Sequence, residues 1–149
     1  MFPRRYSHLN EIQKGNFGEA YAKMAFALYG FEVYASDCDD RGIDFVVRNP
    51  GGRFFLVQVK TTGMTANPFI PKRMFQESDN FLFVAIRLKE DDEPAIYLAR
   101  GSDWAKSQPC LGFNARGGKA GPYYEFRFAR KYAACLEAFT FATYARTLT

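Results

Sequence analysis

Three polar residues at the ends of two adjacent apolar segments could together carry out chemistry on a phosphate ester. Asp44 opens the first segment, and Gln58 and Lys60 close the second. Charged or amide groups at the end of an apolar hairpin cost free energy unless they are used there. A carboxylate, an amide oxygen and a lysine at one place are suited to holding a hard divalent cation and a water molecule beside a phosphodiester.

The second segment predicts a β-strand on which the two polar residues are neighbours. Side chains alternate between the two faces of a strand, so Phe54, Leu56, Gln58 and Lys60 share one face and Val59 lies on the other. The turn Asn49-Pro50-Gly51-Gly52 separates this strand from the one that follows Asp44. The two segments therefore form a hairpin with its polar groups at the end away from the turn.

Two registers of this hairpin are compatible with the sequence. Pairing Arg48 with Arg53 puts Asp44 opposite Val57, whereas a bulge of one residue puts it opposite Gln58. Directly opposed residues have Cβ atoms about 4.5–5.5 Å apart, and diagonal ones ~7–8 Å apart. Both registers bring Asp44 within reach of a shared cation if its side chain points to the same face, which the sequence leaves open.

The donor set suits magnesium, with manganese as a substitute. Mg²⁺ takes oxygen ligands, which Asp44 supplies as a carboxylate, Gln58 as an amide and Val59 as a backbone carbonyl. Lys60 could orient the attacking water or help to remove its proton, and could offset phosphate charge. Each residue also has an ordinary explanation: a strand-start aspartate as a turn or cap residue, an edge glutamine, and a lysine whose stem covers apolar surface.

Composition excludes several other hydrolytic sites. The chain has a single histidine, His8, so sites that need two or three histidines cannot be built within one chain. The cysteines Cys38, Cys110 and Cys135 show no Cys-x-x-Cys spacing, and we predict reduced thiols rather than a zinc site. The net charge of +4 favours polyanionic partners.

Length and hydropathy predict one soluble domain over residues 1–149. The chain is 48% hydrophobic and 24% charged, as is typical of a globular protein with a core of its own. No apolar run approaches the ~20 residues of a membrane span, and the N-terminal residues lack the apolar core of a secretory signal. We therefore expect a cytoplasmic protein with no membrane partner and no small-molecule cofactor.

The predicted elements are a helix, a β-meander, further strands and a closing helix. The first helix is apolar nearly all round in its second half, so we expect it to be largely buried. The apolar run 81–88 is typical of a central strand covered on both faces. The remaining expectations are strands at 31–35, 43–48, 53–60, 95–99 and 123–128, loops at 63–71 and 112–122, and helices at 9–29, 72–77 and 131–147.

These motifs, in this order, resemble the PD-(D/E)XK phosphodiesterase superfamily, which has the restriction-endonuclease-like fold. The similarity is greatest to the branch of archaeal Holliday-junction resolvases and modification-dependent restriction enzymes, and it covers about residues 10–100. Gly18-Glu19 matches the Gly-Glu pair of the first core helix. Gly42-Ile43-Asp44 matches the opening of the second strand, and Gln58-Val59-Lys60 matches the end of the third.

The resemblance implies an α/β restriction-endonuclease-like sandwich, with a central mixed β-sheet flanked by helices. It implies a catalytic set of Glu19, Asp44, Gln58 and Lys60, in which Glu19 is a further ligand of the metal or of water. Lys23 follows Glu19 at the spacing of an ordinary helix-surface salt bridge, which is the alternative explanation. Gln58 replaces the commoner glutamate, which lowers the negative charge of the site and should weaken metal binding.

The function implied is a Mg²⁺-dependent endonuclease that hydrolyses DNA. No zinc finger or basic zipper is present, so we expect cleavage to be structure-specific or guided by an accessory factor. A homodimer would provide two sites for cutting two strands. Two alternatives stay open: a non-catalytic nucleic-acid-binding, immunity or assembly protein with a decayed site, and an RNA-directed nuclease.

Five further residues are candidates for contacting nucleic acid: Thr61, Thr62, Lys72, Arg73 and Lys119. The threonines follow Lys60 and could bind phosphate, although strand-end polarity explains them too. Lys119 lies in a glycine-rich segment that could approach the DNA backbone or could be an ordinary surface loop. Trp104 is interpreted as a core or interface residue rather than a base-stacking platform.

Overall fold

The computed structural model of the protein describes residues 2–37 and 41–149. Helix α1 comes first and is followed by eight strands, with two short helices near the end of the chain. The elements are α1 (Glu11–Leu28), β1 (Glu32–Ala35), β2 (Phe45–Arg48), β3 (Phe54–Thr62), β4 (Phe69–Pro71), β5 (Phe81–Arg87), β6 (Ala95–Arg100), β7 (Leu111–Asn114), β8 (Tyr123–Phe126), α2 (Ala133–Leu136) and α3 (Phe141–Ala145). Single 3₁₀ segments cover Lys72–Met74, Gly101–Lys106, Arg130–Tyr132, Glu137–Phe139 and Arg146–Leu148.

Five strands form a mixed sheet in the order β1-β2-β3-β5-β6. Strands β3 and β5 run parallel, and the other neighbouring strands run antiparallel. In β5, every side chain from Phe81 to Ile86 is fully buried, because this strand lies inside the sheet and both of its faces are covered. The predicted α/β class, mixed sheet and central strand are confirmed.

Helix α1 covers one face of this sheet. Its Phe26 packs edge-on against Phe31, Phe45 and Phe141, with ring centroids 4.9–6.0 Å apart. The prediction that α1 is largely buried is wrong, because burial is confined to the stripe of Gly18, Ala22 and Phe26, and several apolar side chains on its other side are exposed. In the described ranges, no helix has the length and hydropathy needed to cross a lipid bilayer.

A second, antiparallel sheet in the order β4-β8-β7 covers the other face. Phe83 of the central strand contacts Trp104 and Phe126 on this side. On this face a small sheet lies where helices were expected, and Phe139 of the closing segment packs against its Phe126. Strands β4 and β7 lie largely in the segments predicted as loops at 63–71 and 112–122, where short, glycine-rich or proline-containing strands give little periodic signal.

The prediction of one closing helix over 131–147 is wrong. Thr140 adopts an extended conformation (φ −58°, ψ 143°) and forms an antiparallel bridge to Tyr97 of β6, so helices α2 and α3 lie on either side of it. A disulfide joins Cys110 to Cys135 and fixes this segment to the chain just before β7. The prediction of reduced thiols is wrong for that pair, and Cys38 lies outside the described residues.

Candidate functional site

The meander of β2 and β3 brings the predicted polar residues together. Asp44 precedes β2, and its backbone N–H donates to the Val57 carbonyl over 2.9 Å. The observed register pairs Phe45 with Val57, so Asp44 stands opposite Gln58 when this pairing is continued by one residue. The structure thus has the second of the two registers compatible with the sequence, the one that brings Asp44 closest to Gln58.

The carboxylate of Asp44 takes over a backbone hydrogen bond where β2 has not yet begun. Its Oδ2 accepts the N–H of Val59 over 2.7 Å. This N–H would otherwise lack a partner at the end of the ladder, so the capping explanation for Asp44 is confirmed for one of its oxygens. No hydrogen bond to the other oxygen, Oδ1, is formed by the described residues.

Burial is the main influence on the charge of Asp44. It raises the pKa of the carboxyl above the ordinary value, against the hydrogen bond from Val59, which lowers it. The Glu19 carboxylate raises this pKa further, and the ammonium groups of Lys60 and Lys23 lower it. A partly desolvated carboxylate near a second one is a group whose ionised form a bound cation would stabilise.

Gln58 is buried beside Asp44 and has an unused oxygen. Only 4% of the residue is exposed, and its Oε1 has no hydrogen-bond partner among the described residues. A buried oxygen without a donor costs about 1–3 kcal/mol. Gly42 lies directly against it, because a Cβ added there would be 2.7 Å from Oε1. With φ of +75°, this position suits glycine for its backbone as well.

Lys60 lies on the same face of β3 as Gln58 and is half-buried. It pairs with the buried Ala85 of β5. No ion pair joins Lys60 to a carboxylate in the described part of the chain. Lys60 is therefore an ammonium group close enough to influence Asp44 and not committed to a salt bridge.

Glu19 belongs to α1, which packs on the face of β3 opposite to the one that carries Gln58 and Lys60. Its Oε1 forms a salt bridge of 3.0 Å with Lys23, and both side chains are about one third exposed (34% and 36%). The ordinary helix pair that was the alternative for Glu19 is therefore present. Glu19 also raises the pKa of Asp44, so its carboxylate lies within electrostatic reach of the site while its Oε1 is engaged by Lys23.

The structure separates the five residues predicted to contact nucleic acid into two groups. The hydroxyls of Thr61 and Thr62 are buried and have no hydrogen-bond partner in the described part of the chain, so neither is open to a phosphate. Lys72, Arg73 and Lys119 are exposed, and the Lys72 ammonium lies 5.9 Å from the centre of the Phe113 ring. Exposed basic side chains are thus available only outside β3.

The donors present fit a hard cation in a weakly charged site. No group of three or more histidine, cysteine, aspartate or glutamate side chains suited to a metal occurs within residues 2–37 and 41–149. Asp44 offers a carboxylate oxygen, and Gln58 offers the unpartnered amide oxygen, which is the observation that fits a cation best. With Glu19 engaged by Lys23, the set carries one uncommitted negative charge.

Sequence reasoning missed a basic cleft beside this site. It has a volume of about 330 Å³ and is lined by Arg41, Arg73, Met74 and Gln76. Arg41 directly precedes the Gly42-Ile43-Asp44 motif, and this adjacency was the available signal. By contrast, Trp104 packs on Phe83 as the core interpretation expected.

A second groove, of about 520 Å³, contains none of the candidate residues. It runs between α1 and the N-terminal segment, and its apolar lining includes Phe2, Phe17, Tyr21 and Met24.

Comparison of the chain with models of known protein families finds no match, and neither does comparison with curated proteins. The family resemblance therefore rests on the three short sequence motifs.

Proposed function

We propose that the protein is a Mg²⁺-dependent endonuclease of the PD-(D/E)XK type that hydrolyses DNA. The observation that carries the proposal is the juxtaposition of Asp44, Gln58 and Lys60 at the end of the β2–β3 pair. Helix α1 adds Glu19 within electrostatic reach of Asp44. The order of a helix, a meander and a parallel strand supports a restriction-endonuclease-like sandwich, with a small sheet in place of helices on one face.

The residues divide into two roles in this proposal. Asp44, Gln58 and the Val59 carbonyl, joined by Glu19, would hold the cation. When bound, the cation supplies charge stabilisation to the scissile phosphate and acidifies a water molecule. The Val59 N–H orients the Asp44 carboxylate by holding Oδ2. Lys60, which forms no salt bridge with a described residue, orients the attacking water and offsets charge that develops on the phosphate.

A specific observation also favours a second candidate, a non-catalytic nucleic-acid-binding protein with a decayed site. The described residues gather no cluster of three or more acidic, histidine or cysteine side chains for a metal, and Glu19 is held by Lys23. Such a protein would bind DNA through its basic surface, and Gln58 would remain as a packing residue. The two proposals differ in whether divalent cations change what the protein does.

The deciding experiment measures cleavage and binding in parallel. Duplex, branched and single-stranded DNA, and matching RNA, are incubated with wild type in Mg²⁺, Mn²⁺ or EDTA. We expect cation-dependent cleavage of DNA. An RNA-directed nuclease would cleave the RNA preferentially, and absence of cleavage on every substrate would favour the decayed site.

Variants then assign the roles at one stated salt concentration. Asp44→Asn removes the charge and keeps an acceptor for Val59, so it should abolish cleavage without unfolding the chain. Lys60→Ala should lower single-turnover cleavage by about 10²–10⁴-fold while DNA affinity changes little. Equal losses in both would make Lys60 a binding residue. Lys131→Ala, on the exposed C-terminal segment, is the matched control and should alter neither.

A further inference from the structure

We propose that Arg41 and Arg73 form a clamp for a backbone phosphate of the nucleic acid, next to the phosphate at the candidate site. The clamp rests on the proposed function in one respect, because its ligand is the polynucleotide. Arg41 comes from the segment before β2, and Arg73 from the 3₁₀ turn Lys72–Met74 after β4. Residues far apart in the chain therefore converge on one cleft.

Among the described residues, no carboxylate lines this cleft. Both arginines are exposed and line the cleft with Met74 and Gln76. Neither guanidinium forms a salt bridge with a carboxylate in the described ranges. Two arginines facing one cavity repel each other unless an anion lies between them, and their planar forks match phosphate oxygens in a bidentate manner.

The cleft shares a wall with the candidate site. A Cβ on Gly42 would lie 3.0 Å from the Met74 Cβ and 2.7 Å from the Gln58 Oε1. Gly42 thus touches the cleft through Met74 and the unpartnered amide oxygen through Gln58. A phosphate held by Arg41 and Arg73 would lie one wall away from a phosphate held near Gln58, as neighbouring phosphates of one strand do.

The turn that carries Arg73 is firmly packed. Phe75 follows it and stacks on Tyr124 with ring centroids 3.9 Å apart. Phe75 also meets Phe81 and Trp104 edge-on. Arg73 is therefore presented from a rigid support, which lowers the entropy cost of binding a ligand. Beside it, Lys72 lies over the half-exposed Phe113 and extends the basic surface away from the candidate site.

The test measures equilibrium binding of a fluorescent DNA oligonucleotide in EDTA, where cation-dependent cleavage cannot interfere. Arg41→Gln/Arg73→Gln should weaken binding by at least ~10-fold. It should also shallow the slope of log affinity against log salt by about 1–2, since two phosphate contacts are lost. The control pair Arg130→Gln/Lys131→Gln removes the same charge from the C-terminal segment and should weaken binding less than ~3-fold. All variants should melt at the wild-type temperature.

A second pair of variants separates a built clamp from general positive charge. Arg41→Lys/Arg73→Lys keeps both charges and loses the fork geometry, so it should keep most of the salt slope and still bind less tightly. Competition with inorganic phosphate should displace DNA from wild type more readily than from the glutamine pair. Equal effects of the glutamine pair and the control pair would overturn the clamp, as would wild-type affinity in the lysine pair.

These experiments distinguish failure of the clamp from failure of the nuclease proposal. A wild type that binds DNA through both arginines in EDTA and never cleaves with Mg²⁺ or Mn²⁺ supports the clamp and refutes the nuclease. A wild type that cleaves DNA and binds it equally well without these arginines refutes only the clamp. A wild type with no affinity for DNA or RNA refutes the clamp outright.

Discussion

The backbone of Gly18 packs directly against the hydroxyl of Thr61. A Cβ at Gly18 would stand 1.7 Å from Thr61 Oγ1 and 2.9 Å from its Cβ, so α1 touches β3 at a place where no larger residue fits. Glu19 follows immediately, so this contact helps to position the residue that influences the pKa of Asp44. The close packing of α1 on β3 therefore explains why position 18 is a glycine, and this explanation does not depend on catalysis.

Two glycines of the same helix should respond to alanine in opposite directions. Gly18→Ala should destabilise the fold by about 1–3 kcal/mol through overpacking. Gly15→Ala, where an added Cβ meets nothing within 4 Å, should stabilise it by up to ~1 kcal/mol through helix propensity. Urea denaturation of both variants measures the difference. A stabilised Gly18→Ala would show that α1 can move away from Thr61 without cost.

The raised pKa of Asp44 predicts a stability that depends on pH. The folded state binds the proton more readily than the unfolded state between the ordinary value of 3.8 and the raised value. The ionised carboxyl therefore costs stability at pH 7, and this cost disappears as the pH falls through that window. Asp44→Asn should unfold at a higher urea concentration than wild type at pH 7, with no such advantage below pH 3.8. An unchanged midpoint at pH 7 would contradict this.

Gln58→Glu should make the stability of the protein depend on a divalent cation. A buried carboxylate without a donor should lower stability at pH 7 in EDTA by about 1–3 kcal/mol. Mn²⁺ should restore the melting temperature, and should do so more than for wild type, because the variant adds a charge to the donor set. Gln76→Glu, in the exposed cleft, is the control. If Mn²⁺ stabilises neither Gln58→Glu nor wild type, the Gln58 side chain does not face a cation.

The disulfide between Cys110 and Cys135 should contribute to stability, since it closes a loop with a sequence separation of 25 residues. A disulfide that closes a loop of this length typically stabilises the folded protein by about 2–4 kcal/mol. Reductant should therefore lower the melting temperature of wild type and leave that of Cys110→Ala/Cys135→Ala unchanged. A wild type insensitive to reductant would restore the original expectation of thiols.

The sequence was sufficient to predict the elements whose apolar residues follow a clear helix or strand pattern. Helix α1, the meander and the buried strand β5 were predicted within two residues at each end. These segments combine high propensity with clear boundaries, such as Gly30 after the helix and the Asn-Pro-Gly-Gly turn before β3. Side-chain alternation placed Gln58 and Lys60 on one face of β3, but the sequence left two registers open for Asp44, and the observed pairing of Phe45 with Val57 decides between them.

What the sequence could not supply was set by tertiary contacts. Thr140 breaks the predicted closing helix because its backbone pairs with Tyr97, a partner that no local pattern reveals. The position of Arg41 before the Gly42-Ile43-Asp44 motif was a local signal, but no local pattern could show that Arg73 lines the same cleft. The buried threonines of β3 were likewise ambiguous until the position of α1 was known.

The bridge between Tyr97 and Thr140 has a consequence for how this protein can associate. At one side of the five-stranded sheet, β6 is paired by the chain itself along part of its length, which blocks the docking of a foreign strand there. At the other side, β1 pairs only with β2 in the described ranges. β1 is therefore the more open of the two sides for extending the sheet from one copy to the next, and its charged residue Glu32 would oppose such growth.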